Sequence, residues 1–326
     1  MHAPDGFLNA GTAVATGAVS LGAVGVALRQ TRDVLQDRQI PLAGVAAAFI
    51  FAAQMVNFPV AAGTTGHLLG GALAAVLLGP AMGAVVVTVV VVIQALAFAD
   101  GGLTALGYNI LNMAVVTAIG GWAVFVLLRR VMPKTVNGLS LAAGLAAATS
   151  VVMSSMAFSI EWLFGATAPV SFAKVFGAMV TVHLLIGIGE GIITALAVRS
   201  VLSVRPDLVK GAEGMDLEPA GRKRSLRALT IGGLAVAFVI ATVVAQFAVD
   251  DPDGLERVAT DTGFAESGRD STLSDTLFSD YATQGLGNEA LSLAVAGATG
   301  TLITLAVGWG LFAIVRDRRR PARSPV

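Results

Sequence analysis

Residues 81–98 read AMGAVVVTVVVVIQALAF, which is eighteen consecutive residues without a charged side chain. A helix rises about 1.5 Å per residue, so this segment is ~27 Å long, close to the ~30 Å hydrocarbon core of a bilayer. The whole chain has the same character: 55% of its 326 residues are hydrophobic, 13% are charged, and the mean hydropathy is +0.79. Soluble domains carry about 25% charged residues. The sequence therefore predicts an all-α integral membrane protein, a polytopic helical bundle.

With this segment included, the sequence has nine apolar stretches, of which the second and third are short. They cover residues 7–28, 41–58, 64–79, 81–98, 105–128, 139–160, 172–198, 228–248 and 289–315. Only Gly79-Pro80 separates the third from the fourth, so eight spans are the alternative. With nine, 18 of the 21 basic residues share one side, which the positive-inside rule makes cytoplasmic. We therefore expect nine spans in the cell (cytoplasmic) membrane, with the N-terminus outside and the C-terminus inside.

The pattern divides the chain into three parts. Residues 1–200 hold seven spans, residues 201–227 form a polar cytoplasmic linker, and residues 228–326 form two helices flanking a loop at 249–288. That outer loop has nine acidic and two basic residues, a net charge of about −7. Such a loop would concentrate cations, assist metal loading or hold the N-terminal segment in place. A solvated, partly disordered connector is the alternative.

Several classes of function are excluded by what the sequence lacks. There is no cysteine, so disulfide scaffolds and thiolate chemistry are ruled out, and the balanced charge gives no reason to expect nucleic acid. No Gly-x-x-x-x-Gly-Lys-Ser/Thr loop, Gly-x-Ser-x-Gly elbow or His-Glu-x-x-His pair is present. We expect no enzyme activity and no cofactor. The start resembles no signal peptide, so the mature chain should begin at Met1 with a free amine.

The first two residues have the donor atoms for a metal chelate. The α-amine of Met1, the amide nitrogen of His2 and the Nδ1 of His2 close a five-membered and a six-membered ring around one ion. Three coplanar nitrogens suit Ni(II) or Cu(II), with a neutral imidazole completing the square. His67 is the best candidate for that imidazole, because it lies at the outer end of the third predicted span. Alternatively, His2 is incidental and His67 only hydrogen-bonds a neighbour.

Two aspartates could shape such a site. Asp5 could accept a hydrogen bond that fixes the N-terminal turn, or it could cap a helix that begins near Phe7. Asp100 begins an outer Asp-Gly-Gly turn. It could orient a ligand imidazole, or it could be a plain turn residue.

Other polar residues fall inside the predicted spans. His183 and Glu190 are seven residues apart, so they share one helix face. They could form a hydrogen-bond network with each other or a neighbouring helix, or a second metal site. Asn57, Asn109 and Asn112 could line a pocket or join helices.

Taken together, several motifs resemble one known family. They are MHAPDGFL at 1–8, GTTGHLLGG at 63–71, ADGGLTALG at 99–107 with Asn109 and Asn112-Met113, and HLLIGIGEG at 183–191. As a set they resemble the CbiM/NikM nickel and cobalt substrate-binding subunits of energy-coupling-factor transporters. The segment DPDGLE at 251–256 resembles the signature of the accessory CbiN/NikN-like subunit, here fused through the linker.

The resemblance implies a function and a set of ligands. It implies metal held in a square plane by Met1, His2 and His67, with Asp5, Thr65, Asp100, Asn109, His183 and Glu190 as candidates around them. It also implies partners: a transmembrane coupling subunit and separate ATP-binding-cassette ATPase subunits. Square-planar nitrogen coordination favours Ni²⁺ as the transported ion, with Co²⁺ as the alternative. An ATP-independent permease or channel and a purely structural membrane subunit are the competing interpretations.

Overall fold

A computed structural model describes residues 1–61, 63–219 and 224–317. Its elements, in chain order, are α1 (Ala10–Val34), α2 (Gln39–Gln54), β1 (Phe58–Ala61), β2 (Thr64–Gly66), α3 (Gly71–Leu78), α4 (Pro80–Ala97), α5 (Leu106–Asn109), a π-helix (Ile110–Val116), α6 (Thr117–Val131), α7 (Val136–Gly165), α8 (Phe172–Val204), α9 (Leu226–Thr242), α10 (Gly254–Thr262) and α11 (Glu289–Asp317). The predicted all-α polytopic membrane fold is confirmed.

The predicted count of nine spans is not confirmed. Among the described residues, seven helices are long and apolar enough to cross a membrane, and they match the first and the fourth to ninth predicted spans. The second is the shorter α2, with 16 residues. The third, at 64–79, is not one helix: it begins with β2, continues as a loop, and has only the eight residues of α3 as helix. Gly70 and Gly79 flank α3 with φ values of 81° and 96°, a left-handed backbone that ends helices.

Small residues let the two C-terminal helices pack closely on the rest of the bundle. Helices α9 and α11 both contact α2. A Cβ on Gly44 of α2 would lie only 3.1 Å from the Cβ of Trp309 and 3.2 Å from the carbonyl oxygen of Leu305. Glycine at this position permits the close approach, as is common where membrane helices meet. Helices α9 and α11 therefore pack against α2, in the N-terminal half of the chain.

The loop at 249–288 is folded against the hairpin formed by β1 and β2. The Val249 amide donates to the carbonyl of Asn57 at 3.1 Å. The Thr65 amide donates to the carbonyl of Pro252 at 3.0 Å, and its hydroxyl donates to the carbonyl of Asp251 at 2.8 Å. Helix α10 follows. The loop thus packs on the hairpin of the N-terminal half, which does not fit the alternative of a solvated connector.

Part of the basic pattern used for the orientation lies outside the described residues. That part comprises Arg222, Lys223, Arg318, Arg319, Arg320 and Arg323. Arg129, near the end of α6, donates to the carbonyl of Gly211 in the linker at 2.9 Å. This hydrogen bond joins the described part of the linker to α6.

Candidate metal site

The first eight residues run as an extended segment through the interior of the bundle. The Ala3 amide donates to Asn109 Oδ1, and Asn109 Nδ2 donates to the Ala3 carbonyl, both at 3.0 Å. Asp5 Oδ1 accepts from the Thr104 amide at 2.7 Å and from its hydroxyl at 2.5 Å. Met1 and Ala3 are 6% and 1% exposed. The chain start is therefore fixed deep in the protein by side chains 99 to 106 residues away.

Of the two interpretations of Asp5, the cap is wrong. Helix α1 begins at Ala10, and Asn9 caps it by accepting from the amide of Thr12. Asp5 instead binds the turn that precedes α5, and so it fixes the N-terminal segment. The Asp5 carbonyl also accepts from the Arg269 amide at 2.7 Å, which joins this segment to the acidic loop.

The amine of Met1 lies between His67 and Asp253. It is 2.6 Å from His67 Nε2 and forms an ion pair with Asp253 Oδ2. His67 Nδ1 is 3.1 Å from the Leu68 carbonyl. Because a carbonyl only accepts, Nδ1 carries the proton and the lone pair of Nε2 faces the amine. Two of the expected nitrogen ligands are thus in direct contact.

Three residues of the segment Asp253-Gly254-Leu255-Glu256 have a structural role here. Asp253 caps α10 through Oδ1, which accepts from the amides of Leu255 and Glu256 at 2.8 and 2.9 Å. Glu256 closes the capping box by accepting from the Asp253 amide at 3.1 Å. Leu255 is buried. The motif therefore holds Asp253 with its second oxygen, Oδ2, free for the amine of Met1.

Asp253 is held in its charged form. Burial alone would raise the pKa of this carboxyl, but the Met1 ammonium and the His67 ring beside it hold that pKa well below its usual range. The carboxylate and the ammonium are a largely buried pair, and each balances the charge of the other.

The His2 ring lies between two polar side chains that a third one connects. Nδ1 is 3.1 Å from Asp100 Oδ1, and Nε2 is 3.1 Å from Gln94 Oε1. The hydroxyl of Tyr281 joins the two partners, since it accepts from Gln94 Nε2 at 3.0 Å and donates to Asp100 Oδ2 at 2.5 Å. The prediction that Asp100 could orient a ligand imidazole thus fits its position. The ring also stacks on His67, with centroids 5.3 Å apart.

Burial lowers the pKa of His2 to about 4, although the charge of Asp100 acts in the opposite direction. A neutral ring carries one proton, so it donates to Asp100 or to Gln94 but not to both. Chelation through Nδ1 requires this nitrogen to leave Asp100. In the structure the Met1 amine therefore contacts His67, whereas the His2 ring is held by Asp100 and Gln94.

His183 and Glu190 do not pair with each other. Glu190 accepts from the amides of Leu69 at 2.5 Å and Gly70 at 2.9 Å, so it anchors the loop that carries His67. His183 Nδ1 lies 2.7 Å from the carbonyl of Met179, one turn earlier in α8. Of the alternatives for these two residues, a hydrogen bond between them is not what the structure has, because each binds a backbone group instead.

The three asparagines have separate roles. Asn109 holds the N-terminal segment, as described above. Asn112 Nδ2 donates to Glu161 Oε2 at 2.8 Å and joins the π-helix to α7. Asn57 binds the acidic loop through its carbonyl and lines a cavity that also borders His2 and His67.

An outer cavity of about 650 Å³ leads to the site. His2, His67 and Asp253 line it together with further carboxylates, those of Asp100, Glu256, Asp270 and Asp280. Arg269 is the basic residue in its wall. An excess of carboxylates around one cavity attracts cations. The acidic loop thus contributes charge where the sequence predicted that it would concentrate cations.

Removing the Tyr281 hydroxyl is expected to weaken metal binding. Tyr281→Phe keeps the ring packing but leaves Asp100 and Gln94 without their shared partner, so His2 is less firmly placed. We expect the Ni(II) dissociation constant to rise about tenfold, or ~1.4 kcal/mol. Ser279→Ala is the control, because its buried hydroxyl in the same turn has no partner. Equal affinities in a chelator competition would contradict the role of these hydrogen bonds.

Sequence reasoning missed Gln94 and Tyr281 and gave Asp253 no role in the site. Gln94 lies inside the apolar run of α4, and Tyr281 is 187 residues away from it. No local pattern links them. A signal for Asp253 does exist, because Asp followed by Glu three residues later is a capping-box pattern.

The fold and this buried chain start define a polytopic helical membrane protein with a histidine-lined N-terminal site. The chain belongs to the family described as the cobalt uptake substrate-specific transmembrane region, whose model matches residues 2–208. A model of the PDGLE domain matches residues 227–317.

Known proteins resemble the chain over much of its length. The fused nickel transport protein NikMN of Rhodobacter capsulatus is 36% identical over 75% of this chain and 73% of its own length. The cobalt transport protein CbiM of Geobacter sulfurreducens is 30% identical over 83% of this chain and 79% of its own. A crystal structure of a transition metal transporter aligns with a TM-score of 0.56 and 29% identity, over 63% of this chain and 93% of that one.

Proposed function

We propose that this chain is the substrate-binding component of an ATP-dependent energy-coupling-factor transporter that imports Ni²⁺. The ion is captured in a square plane by the Met1 amine, the amide and Nδ1 of His2, and His67 Nε2. The observation that carries the proposal is the buried Met1 amine, 2.6 Å from His67 Nε2 beside an acidic cavity. The names of relatives, which include nickel and cobalt transport proteins, support a metal of this class.

Nickel is favoured over cobalt by the chemistry of the donor set. A deprotonated amide with three further nitrogens is a strong square-planar field, which suits low-spin Ni(II). The ligands lie in an extended segment and a loop that are both fixed by hydrogen bonds, so most of the ordering precedes binding. Co(II) is the competing ion in the same site.

ATP hydrolysis is assigned to partner subunits. The sequence contains no phosphate-binding loop, so uptake against a gradient needs separate ATPase subunits and a membrane subunit that couples them to this chain. In this proposal the N-terminus and the loop at 249–288 face outward, and the linker and C-terminus face the cytoplasm, as the positive-inside rule favours.

Adding one residue before Met1 tests the proposed ligands. The extension keeps every side chain but moves the free amine and makes His2 the third residue. The native chain is expected to bind one Ni(II) with a square-planar visible spectrum, and the extended chain is expected to lose that spectrum. Metal analysis and absorption spectroscopy of both purified proteins measure the difference. Identical binding by the two chains would refute the N-terminal chelate.

A further inference from the structure

His183 has a free metal-binding nitrogen that the proposed function does not use. Its side chain is 1% exposed. Because Nδ1 donates to the carbonyl of Met179, the lone pair is on Nε2, and this buried nitrogen has no hydrogen-bond partner. Buried acceptors are nearly always partnered. A histidine whose other nitrogen is fixed by a carbonyl is also the usual form of a metal ligand.

His183 lines a small inner cavity next to the Met1 amine. The cavity has a volume of about 10 Å³, and Met1, His67, Asp253 and Gly254 share its wall. A Cβ on Gly254 would lie 3.1 Å from His183 Nε2, so glycine at this position keeps the approach to that nitrogen open. A space of this size holds about one small particle such as a water molecule.

Two residues of the inner cavity also line the outer cavity. His67 and Asp253 border both spaces, whereas His2 borders only the outer one and His183 only the inner one. The contact between Met1, His67 and Asp253 therefore separates the two cavities. An ion held between Met1, His67 and Asp253 has the carboxylates of the outer cavity on one side. On the other side, in the inner cavity, it has the free Nε2 of His183.

We propose that His183 Nε2 and the Asp253 carboxylate form an inner transfer position for a divalent transition-metal ion. This inference rests on the proposed function. The ion moves there when it leaves the group of Met1, His2 and His67, and Asp253, which borders both cavities, becomes a ligand only during this exchange. His183 supplies a neutral lone pair, so it loses no proton. The amine of Met1 and the amide of His2 regain protons from water as the ion leaves.

The test separates binding from transport in the full-length chain with its native N-terminus. Nickel content and the visible spectrum are measured on purified protein, and uptake of radioactive nickel is measured in the natural host after replacement of the chromosomal copy. His183→Gln removes the ligand, and His183→Glu restores a ligating atom at similar reach. Thr194→Val is the matched control, because this buried hydroxyl in α8 has no partner and borders neither cavity.

We expect His183→Gln to bind one Ni(II) with the native spectrum but to lower uptake by about 10–100-fold, the usual cost of losing a supporting metal contact. His183→Glu should recover a large part of the uptake, and Thr194→Val should behave as the native chain. Native uptake by His183→Gln would overturn the inference. A water molecule would then be the occupant of the inner cavity.

Two other results would also overturn it. Loss of nickel binding in His183→Gln would make His183 part of the resting site, and equal uptake by the Gln and Glu variants would exclude ligation. Failure of the proposed function itself is seen separately, because the native chain would then bind no square-planar Ni(II).

Discussion

His67→Ala is expected to lower the affinity of the native-start chain for Ni(II) by about a thousandfold or more, which corresponds to ~4 kcal/mol. The substitution removes one of four proposed nitrogen ligands. It also removes the imidazole that lies 2.6 Å from the amine of Met1, so the chain start loses a fixed partner. The measurement is a competition titration against a chelator of known affinity, followed by the square-planar absorption band.

The control for this experiment is Ser155→Ala. Ser155 is buried in α7, and its hydroxyl donates at 2.8 Å to the carbonyl of Val152 in the same helix. It should bind nickel as the native chain does, which excludes a general effect of truncating a buried side chain. An affinity for His67→Ala within about threefold of native, less than 1 kcal/mol, would remove His67 from the ligand set and with it the square plane.

The sequence predicts those parts of the site whose residues are close together in the chain. Met1 and His2 are adjacent, so their chelate follows from bond lengths and ring sizes alone. The apolar runs likewise predict seven of the helices, because burial in a bilayer requires length and the absence of charge. The sequence did not predict the structure of the segment before His67, since Thr64–Gly66 is the second strand of a β-hairpin inside a stretch that is apolar enough to look helical.

The parts that the sequence could not predict depend on contacts between distant segments. Glu190 reaches back 120 and 121 residues to the amides of Gly70 and Leu69. Tyr281 meets Asp100 across 181 residues. These pairs have no spacing that a helix or strand would impose, and any acceptor or hydroxyl in the loop could have filled the role. Their positions follow from how the accessory loop folds over the N-terminal half.

The charge next to Asp253 is the same before and after metal binding in this proposal. Without metal, the amine of Met1 is an ammonium with one positive charge. With Ni²⁺ bound, the ammonium has lost a proton and the amide of His2 carries one negative charge, so the ion and the amide together again give one positive charge. Asp253 therefore balances a single buried charge in both states, and it stabilises the docked accessory segment throughout.

Asp253→Asn is accordingly expected to destabilise the protein without abolishing nickel binding. Asparagine can still cap α10 through its oxygen, but the Met1 charge is left buried and unbalanced. Breaking a buried ion pair costs about 3–5 kcal/mol. We expect a lower thermal midpoint and faster protease cleavage within residues 249–288, with nickel affinity within about threefold of native, less than 1 kcal/mol.

Asp270→Asn is the matched control for this last experiment. Asp270 also lines the outer cavity but is exposed, so the variant makes the same change in loop charge without breaking the buried pair. It should keep the native midpoint and protease resistance. If both variants behave alike, the loop acts only through its overall charge. If Asp253→Asn instead loses nickel as completely as His67→Ala does, Asp253 binds the ion in the resting site, and the four-nitrogen plane is incomplete.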